Sequence, residues 1–172
     1  MSRTRSQEPK SSRISKVRKL RAMGQVDPAR SAFMRKIKGK HSKPELTVRS
    51  LIHRMGYRFR LHGKSLPGTP DLVFPGPKKV IFVHGCFWHR HEGCSRTTTP
   101  KTRAKFWKDK FAQNVERDSR NVGLLRNLGW HVLIIWECQT LGCELRKMVS
   151  RFLKTQTSAL PNESKARRIS KQ

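Results

Sequence analysis

Three histidines and two cysteines fall within eleven positions of this chain, between His84 and Cys94. The surrounding segment, residues 85–101, has no periodic apolar pattern, and an irregular segment of this length needs something to order it. Nitrogen and sulfur donors at this density can wrap a tetrahedral zinc ion. With no secretory signal before them, the four cysteines favour a metal site or free thiols over disulfides.

Cys86, His91 and Cys94 are the predicted zinc ligands of this segment, and a fourth ligand must come from elsewhere. Cys138 is the preferred candidate because it follows an apolar strand whose end could meet the loop. Cys143 competes with it, but falls on the final predicted helix, where it is expected to pack as a small apolar residue. The alternative is an irregular loop with reduced cysteines and unconnected histidines.

The charge of the chain predicts a polyanionic partner. There are 39 Lys and Arg residues against 11 Asp and Glu, a formal net charge of +28. The chain ends do not account for this charge, since residues 31–154 alone carry +18. Nucleic acid is the first expectation and an anionic membrane surface a distant second. Because no apolar run reaches the roughly 18–20 residues that span a bilayer, we expect a cytoplasmic protein.

A chain of 172 residues has room for one ordinary domain. Residues 1–28 and 155–172 are basic, with few apolar positions, and we predict that both are disordered extensions. The folded domain is assigned to residues 29–154.

The order of apolar patterns is α-β-β-β-α-β-α, which predicts an α/β domain with a mixed sheet flanked by helices. Ser42 and Glu45 have the spacing of a capping box, and they open a helix that ends near Met55. The predicted strands are residues 57–61, 71–74, 79–84 and 130–136, with a hairpin turn at 75–78, and the other predicted helices are 102–127 and 141–153.

Asp71 stands at the start of an otherwise apolar strand, and residues 31–154 hold only eight acidic residues. A carboxylate at a sheet end among cations could bind Mg²⁺, which would polarise a scissile phosphate. Pairing around the turn is expected to put Asp71 opposite Val83 or His84, so that a backbone carbonyl becomes another ligand. The alternative is that Asp71 caps a turn and pairs with an arginine.

Glu45 is the second acidic candidate, because it borders the buried stripe of its helix. The capping box explains it equally well, and the two roles are compatible. His84 and His89 would be left free of zinc, and near a cleaved phosphate a histidine can position water or move a proton. His41, His53, His62 and His131 are expected to have no role.

Phe87 and Trp88 lie beside the Cys/His segment, where they either pack in the core or project as wedges between base pairs. Trp107 begins a helical stripe with Phe111 and Val115, and this periodicity favours core packing for it.

Four separated motifs in the same order resemble the very short patch repair (Vsr) mismatch endonucleases. They are residues 66–71 (LPGTPD), 84–89 (HGCFWH), 114–118 (NVERD) and 128–138 (LGW…WEC). The resemblance covers about residues 31–141. It implies a restriction-endonuclease-like α/β core with a structural zinc site. It also implies Mg²⁺-dependent nicking of double-stranded DNA on the 5′ side of the thymine in a T·G mismatch, left by deamination of 5-methylcytosine.

The resemblance assigns roles to the matched positions. Asp71 becomes the essential metal-binding carboxylate, with Glu45 and His89 completing the active site and His84 assisting. Val83 stands where some relatives have threonine, which is harmless if only its backbone carbonyl binds Mg²⁺. The implied zinc ligands are Cys86, His91, Cys94 and Cys138.

Further implied roles concern DNA. Phe87, Trp88 and Trp107 match aromatic residues that enter the base stack beside the mismatch, which replaces the core role that periodicity gave Trp107. Met34 falls in an arm that clamps the duplex from the minor-groove side.

The expected setting is bacterial nucleoid DNA, with the protein acting as a monomer and mismatch-repair accessory proteins as further partners. Two alternatives stay open. One is a restriction-type or nicking endonuclease of the same fold without mismatch preference, and the other is a non-catalytic, zinc-stabilised DNA-binding module. A ribosomal-type basic protein fits the charge, but it does not explain Asp71 and the Cys/His arrangement.

Overall fold

The computed structural model of the protein describes residues 39–155. Met34 and the extension predicted for residues 1–28 lie outside this range. The helices are α1 (Lys43–Arg54), α2 (Cys86–His89), α3 (Ala104–Asn127) and α4 (Glu144–Lys154), and the strands are β1 (Arg60–Leu61), β2 (Leu72–Phe74), β3 (Lys79–His84) and β4 (His131–Trp136). A 3₁₀ helix, Glu137–Leu141, follows β4. Within residues 39–155, none of the helices is both long enough and apolar enough to cross a membrane.

The four strands form one mixed sheet in the order β1-β2-β3-β4. The first three strands are antiparallel, whereas β4 runs parallel to β3 over six residue pairs. Parallel neighbours need a crossover, usually a helix, and α3 lies in this connection. The predicted α/β class and mixed sheet are therefore confirmed.

The register of the β2–β3 hairpin corrects one expectation. The four-residue turn 75–78 pairs Phe74 with Lys79, and continuing this register places Asp71 level with Phe82. The predicted pairing of Asp71 with Val83 or His84 is therefore wrong. The Asp71 side chain nevertheless reaches Val83, whose backbone N–H donates to Asp71 Oδ2 at 2.8 Å.

The sheet has an apolar core on each face. Strand residues alternate between the faces, so Ile81 packs with residues of α1 and α4, while its neighbours Val80 and Phe82 pack with Leu125 of α3. The two helix layers hold the sheet between them, which keeps the carboxyl ends of β3 and β4 at one edge.

Several predicted bounds need correction. β1 is shorter than predicted, since residues 57–59 are not paired and β2 meets only two residues of this segment. Residues 86–89 form a helical turn inside the segment predicted to be irregular. The final helix begins at Glu144 because a 3₁₀ turn precedes it. Cys143 is exposed at the start of this helix, so its predicted packing is wrong.

Lys79, the first residue of β3, is a buried lysine with 2% of its surface exposed. Its Nζ donates to the backbone carbonyls of Leu153 (2.9 Å) and Thr155 (2.6 Å). These carbonyls lie at the end of α4, where the helix leaves acceptors unpaired and a cation is favourable. Burial lowers the pKa of Lys79. The lysine thus fastens the end of α4 to the sheet.

Replacing Lys79 by methionine should keep the packing but leave two buried carbonyls without donors. We expect Lys79→Met to lower the free energy of unfolding by about 1–3 kcal/mol, measured by urea denaturation. Lys78 is exposed on the preceding turn, so Lys78→Met is the matched control and should change stability by less than about 0.5 kcal/mol. Equal stability of the two variants would contradict this role for Lys79.

Candidate active site and metal cluster

A cleft of about 410 Å³ opens where the end of β3 faces α3 and the loop before β2. Its walls are formed by Gly39, Lys40, His62, Gly68, Thr69, Asp71, Phe82, Val83, His84, His89, Arg117, Asp118, Asn121 and Val122. Four of the predicted site residues therefore meet in one place, namely Asp71, Val83, His84 and His89. Gly68 lies so close to α3 that a Cβ there would be 2.9 Å from Asn121 Nδ2. A side chain at this position would therefore push the wall away.

Asp71 is a partly buried carboxylate in the cleft. Burial raises its pKa to about 6, although the hydrogen bond from the Val83 N–H opposes this rise. Within a strand, the N–H and C=O of one residue point to the same side, so the Val83 carbonyl also faces the Asp71 edge. Burial makes the ionised form of this carboxylate unfavourable, and a bound cation would stabilise it. The backbone carbonyl beside it would be a second oxygen ligand.

Glu45 combines the two roles left open for it. Its backbone N–H donates to Ser42 Oγ (3.4 Å) and its Oε2 accepts from the Ser42 N–H (3.3 Å), which completes the predicted capping box. Its other oxygen, Oε1, turns inward and forms an ion pair with Arg49. Only 2% of Glu45 is exposed, and its carboxylate, the His62 ring and the Asp71 carboxylate offer ligand atoms within 4.8 Å of one another.

His84 and His89 stack face to face, with ring centroids 3.9 Å apart. Burial lowers the pKa of His84 to about 3, so this imidazole is neutral at neutral pH. His89 lies closer to solvent, and its Nδ1 is 2.5 Å from Asp118 Oδ2. Burial raises the pKa of Asp118, but the hydrogen bond with His89, the charge of that ring and the hydrogen bond from Arg117 together outweigh burial, so the net shift of the pKa is downward. The ionised carboxylate orients the His89 ring and leaves Nε2 for the cleft.

Sequence reasoning missed Asp118, Arg49 and His62. Asp118 belongs to the motif at residues 114–118 and lies four positions after Asn114, whose side chain donates to the Trp88 carbonyl (3.1 Å). Residues four apart share a helix face, so this spacing was a usable signal. His62 was predicted to have no role, and its ring lines the cleft and contacts Arg49. No pattern in the sequence pointed to this contact.

Cys86, His91, Cys94 and Cys138 form a second cluster, with one ligand atom from each within 4.8 Å of the others. His91 Nδ1 lies 3.7 Å from Cys86 Sγ and 3.3 Å from Cys138 Sγ. Cys138, which follows the end of β4, is thus the fourth residue of the cluster, whereas Cys143 lies outside it. Three thiols and one imidazole are a donor set typical of a tetrahedral metal site. Without a cation, burial raises the pKa of Cys86 to about 12, and a bound divalent ion would stabilise the thiolate.

Trp136 connects the two clusters. Its ring stacks on His91 with centroids 4.3 Å apart, and its edge contacts His84 at 5.5 Å. A displacement of the Cys/His cluster would therefore be transmitted to the histidine pair of the cleft.

The predicted DNA-contacting aromatic residues form one surface group. Phe87 contacts Trp88, Trp107 and Phe111, with centroid distances of 5.0–5.6 Å. Phe87, Trp88 and Trp107 are half-buried, and the adjoining Phe106 is 46% exposed. Trp107 packs within this group and belongs to neither apolar core of the sheet.

Sequence comparison with known proteins finds relatives that are all named as DNA endonucleases or nicking enzymes. A sequence model described as DNA mismatch endonuclease Vsr matches residues 24–96. The chain is 48% identical over 115 residues to the type II nicking enzyme V.XorIIP of Xanthomonas oryzae pv. oryzae, covering 66% of this chain and 84% of that enzyme. It is 46% identical over 115 residues to the DNA mismatch endonuclease Vsr of Escherichia coli, covering 67% and 73%. The nicking enzyme V.NmeAIP of Neisseria meningitidis is 41% identical over 110 residues, covering 64% and 78%.

The mixed sheet, the cleft with its carboxylate and histidines, and these relatives define a DNA endonuclease with a restriction-endonuclease-like α/β core. More narrowly, the chain belongs to the DNA mismatch endonuclease Vsr family.

Proposed function

We propose that this endonuclease nicks double-stranded DNA on the 5′ side of the thymine in a T·G mismatch, in a Mg²⁺-dependent reaction that starts very short patch repair. Such mismatches follow deamination of 5-methylcytosine. The observation that carries the proposal is the meeting of Asp71 and the His89–Asp118 pair in one cleft. One relative is named a mismatch endonuclease.

Asp71 and the Val83 carbonyl are proposed to hold the catalytic Mg²⁺, with Glu45 behind them. A bound Mg²⁺ would polarise the scissile phosphate and stabilise the leaving oxygen. Asp71 can serve this purpose because it lines the cleft, where it has the Glu45 carboxylate on one side and the basic Arg49 and His89 as its other charged neighbours. Lys40 and Arg117 line the same cleft, and their charges favour a phosphodiester backbone there.

His89 is proposed to position and deprotonate the attacking water. The ionised Asp118 accepts from Nδ1, which keeps the lone pair on Nε2 toward the cleft. His84 is proposed to assist as a neutral ring that fixes the plane of His89 through their stacking contact. The geometry matches the usual requirement for a base held by a third group.

The aromatic group is proposed to enter the base stack beside the mismatch. Phe87 and Trp88 come from α2, which directly follows β3, while Trp107 comes from the first turn of α3. Wedges of this size unstack a base step and kink the duplex. Met34 remains a proposed minor-groove contact, and accessory repair proteins and a monomeric state remain part of the proposal.

A second candidate is a nicking endonuclease without mismatch preference, which the names of two relatives favour. Nicking rates on otherwise identical matched, T·G and U·G duplexes distinguish the two. We expect T·G to be nicked at least about 100-fold faster than the matched duplex, a difference of about 2.7 kcal/mol in activation free energy. Equal rates on all three duplexes would reject mismatch repair and support the second candidate.

Asp71→Asn removes the charge but keeps the size of the side chain. We expect nicking to fall by roughly 1000-fold or more, because the cation would lose its carboxylate. Binding to T·G duplex should stay within about threefold, since the aromatic and basic contacts are unchanged. Asp109 is exposed on α3, and Asp109→Asn is the control for a general loss of charge. Full nicking by Asp71→Asn would exclude Asp71 as the metal-binding carboxylate.

The Cys/His cluster is proposed to hold a structural zinc ion. Metal analysis of the purified protein should find about one zinc per chain. Cys138→Ser should lose most of this zinc and lower the melting temperature, because the ligand that joins β4 to the loop is removed. Cys143→Ser, outside the cluster, should keep both at wild-type values. Purified protein that contains no zinc and melts normally would refute the assignment.

A further inference from the structure

We infer that His62 is a nitrogen ligand of a divalent cation held with Glu45 and Asp71, and that this ligand shifts the preference of the site from Mg²⁺ toward Mn²⁺. The inference rests on the proposed function, because Asp71 is also the carboxylate proposed to bind the catalytic cation. It adds a protein ligand that sequence reasoning had set aside.

The backbone fixes His62 beside Asp71. The His62 N–H donates to the Asp71 carbonyl at 3.2 Å, and the next N–H, of Gly63, donates to the Pro70 carbonyl at 3.1 Å. His62 itself has φ +49°, a left-handed conformation that turns the chain at the end of β1. The imidazole is thereby directed into the cleft, which it lines together with Asp71.

The three ligand atoms are close enough for one ion. Two ligands at about 2.1 Å from an ion are at most about 4.2 Å apart. His62 Nε2 and Glu45 Oε1 are 3.7 Å apart, and the whole set including Asp71 lies within 4.8 Å. The Asp71 carboxylate can rotate about its Cβ–Cγ bond, which changes its distances to the other two ligand atoms.

A cationic group already sits on two of these atoms. Arg49 Nη2 contacts Glu45 Oε1 and lies 3.0 Å from His62 Nε2. A guanidinium can only donate, so His62 Nε2 presents a lone pair at this point, as a metal ligand must. Glu45 Oε1 likewise presents its charge there. The arginine therefore stands where a metal ion would receive both donors.

Arg49 is not completely satisfied in this place. Its side chain is 11% exposed, and its Nε is buried without a hydrogen-bond partner among residues 39–155. A buried donor without a partner costs free energy, so a metal ion can displace the guanidinium more readily than it could displace a fully paired one. A divalent ion that enters must displace Nη2, and Arg49 then has the His41 ring, 2.9 Å from Nη1, as a remaining partner.

An imidazole ligand changes which cation is preferred. Mg²⁺ favours oxygen ligands and retains water, whereas first-row transition metals accept imidazole readily. Mn²⁺ also accepts carboxylates, so one nitrogen and two carboxylates fit Mn²⁺ better than Mg²⁺. We expect the site to bind Mn²⁺ at least about tenfold more tightly than Mg²⁺.

The test measures cation binding by the full chain, with its Cys/His cluster loaded with one equivalent of zinc and no DNA present. Mn²⁺ binding is followed by the loss of the free-ion EPR signal, and Mg²⁺ affinity by competition. Loss of even an outer-sphere partner costs roughly 10–100-fold in metal affinity, so His62→Gln should weaken Mn²⁺ binding at least about tenfold and reduce the Mn²⁺ to Mg²⁺ affinity ratio. Arg49→Gln should strengthen Mn²⁺ binding. His53→Gln, an exposed position on α1, is the control and should bind as wild type.

Wild-type Mn²⁺ affinity in His62→Gln would overturn the inference, and so would an unchanged or weaker affinity in Arg49→Gln. The nicking activity of Asp71→Asn separates this failure from failure of the proposed function. If Asp71→Asn loses nicking and Mn²⁺ binding while His62→Gln binds normally, the catalytic assignment stands and the nitrogen ligand is wrong. If Asp71→Asn nicks and binds Mn²⁺ as wild type does, both are wrong.

Discussion

The parallel pairing of β3 with β4 is the constraint on which the site depends. The carboxyl ends of two parallel strands meet at the same edge of the sheet, and here His84 is level with Trp136. The residues that follow each strand are therefore neighbours in space although about fifty positions separate them in sequence. This single register brings Cys138 to the loop that begins at Cys86, and it brings Trp136 against both His84 and His91. A shift by one residue would turn each of these side chains to the opposite face.

Several polar side chains in the interior of the protein lie at or near the cleft. Glu45, His84 and Asn114 are each at most 7% exposed: Glu45 pairs with Arg49 and lies 3.7 Å from His62, His84 stacks on His89, and Asn114 donates to the Trp88 carbonyl. Buried polar groups are tolerated when they are paired, and the pairs here run between α1, the hairpin, α2 and α3. The side chains around the cleft are therefore held by contacts within the protein before any ligand arrives, and fixed polar groups are the condition for electrostatic preorganisation.

Local patterns in the sequence predicted most of the fold. The capping box of α1, the hairpin around residues 75–78, the long α3 and the apolar β4 are all present, because each depends on interactions within a short stretch of chain. The errors lie where distant partners decide the outcome. β1 is short because β2 offers it only two partners, and Asp71 is level with Phe82 because of the turn count.

The same distinction holds for the site. Asp71, His89 and the four Cys/His residues were predicted from density and spacing, and four motifs carried the family resemblance. The contact of Asp118 with His89 spans 29 positions, and that of Arg49 with His62 spans 13. Such pairs depend on how helices dock on the sheet, which periodicity does not specify.

The capping box at Glu45 does not require a negative charge. A glutamine at position 45 would still close the box, but it would remove the negative charge of Oε1. Intact helix signals at this position therefore say nothing about whether a homologous chain keeps the buried negative charge beside Asp71.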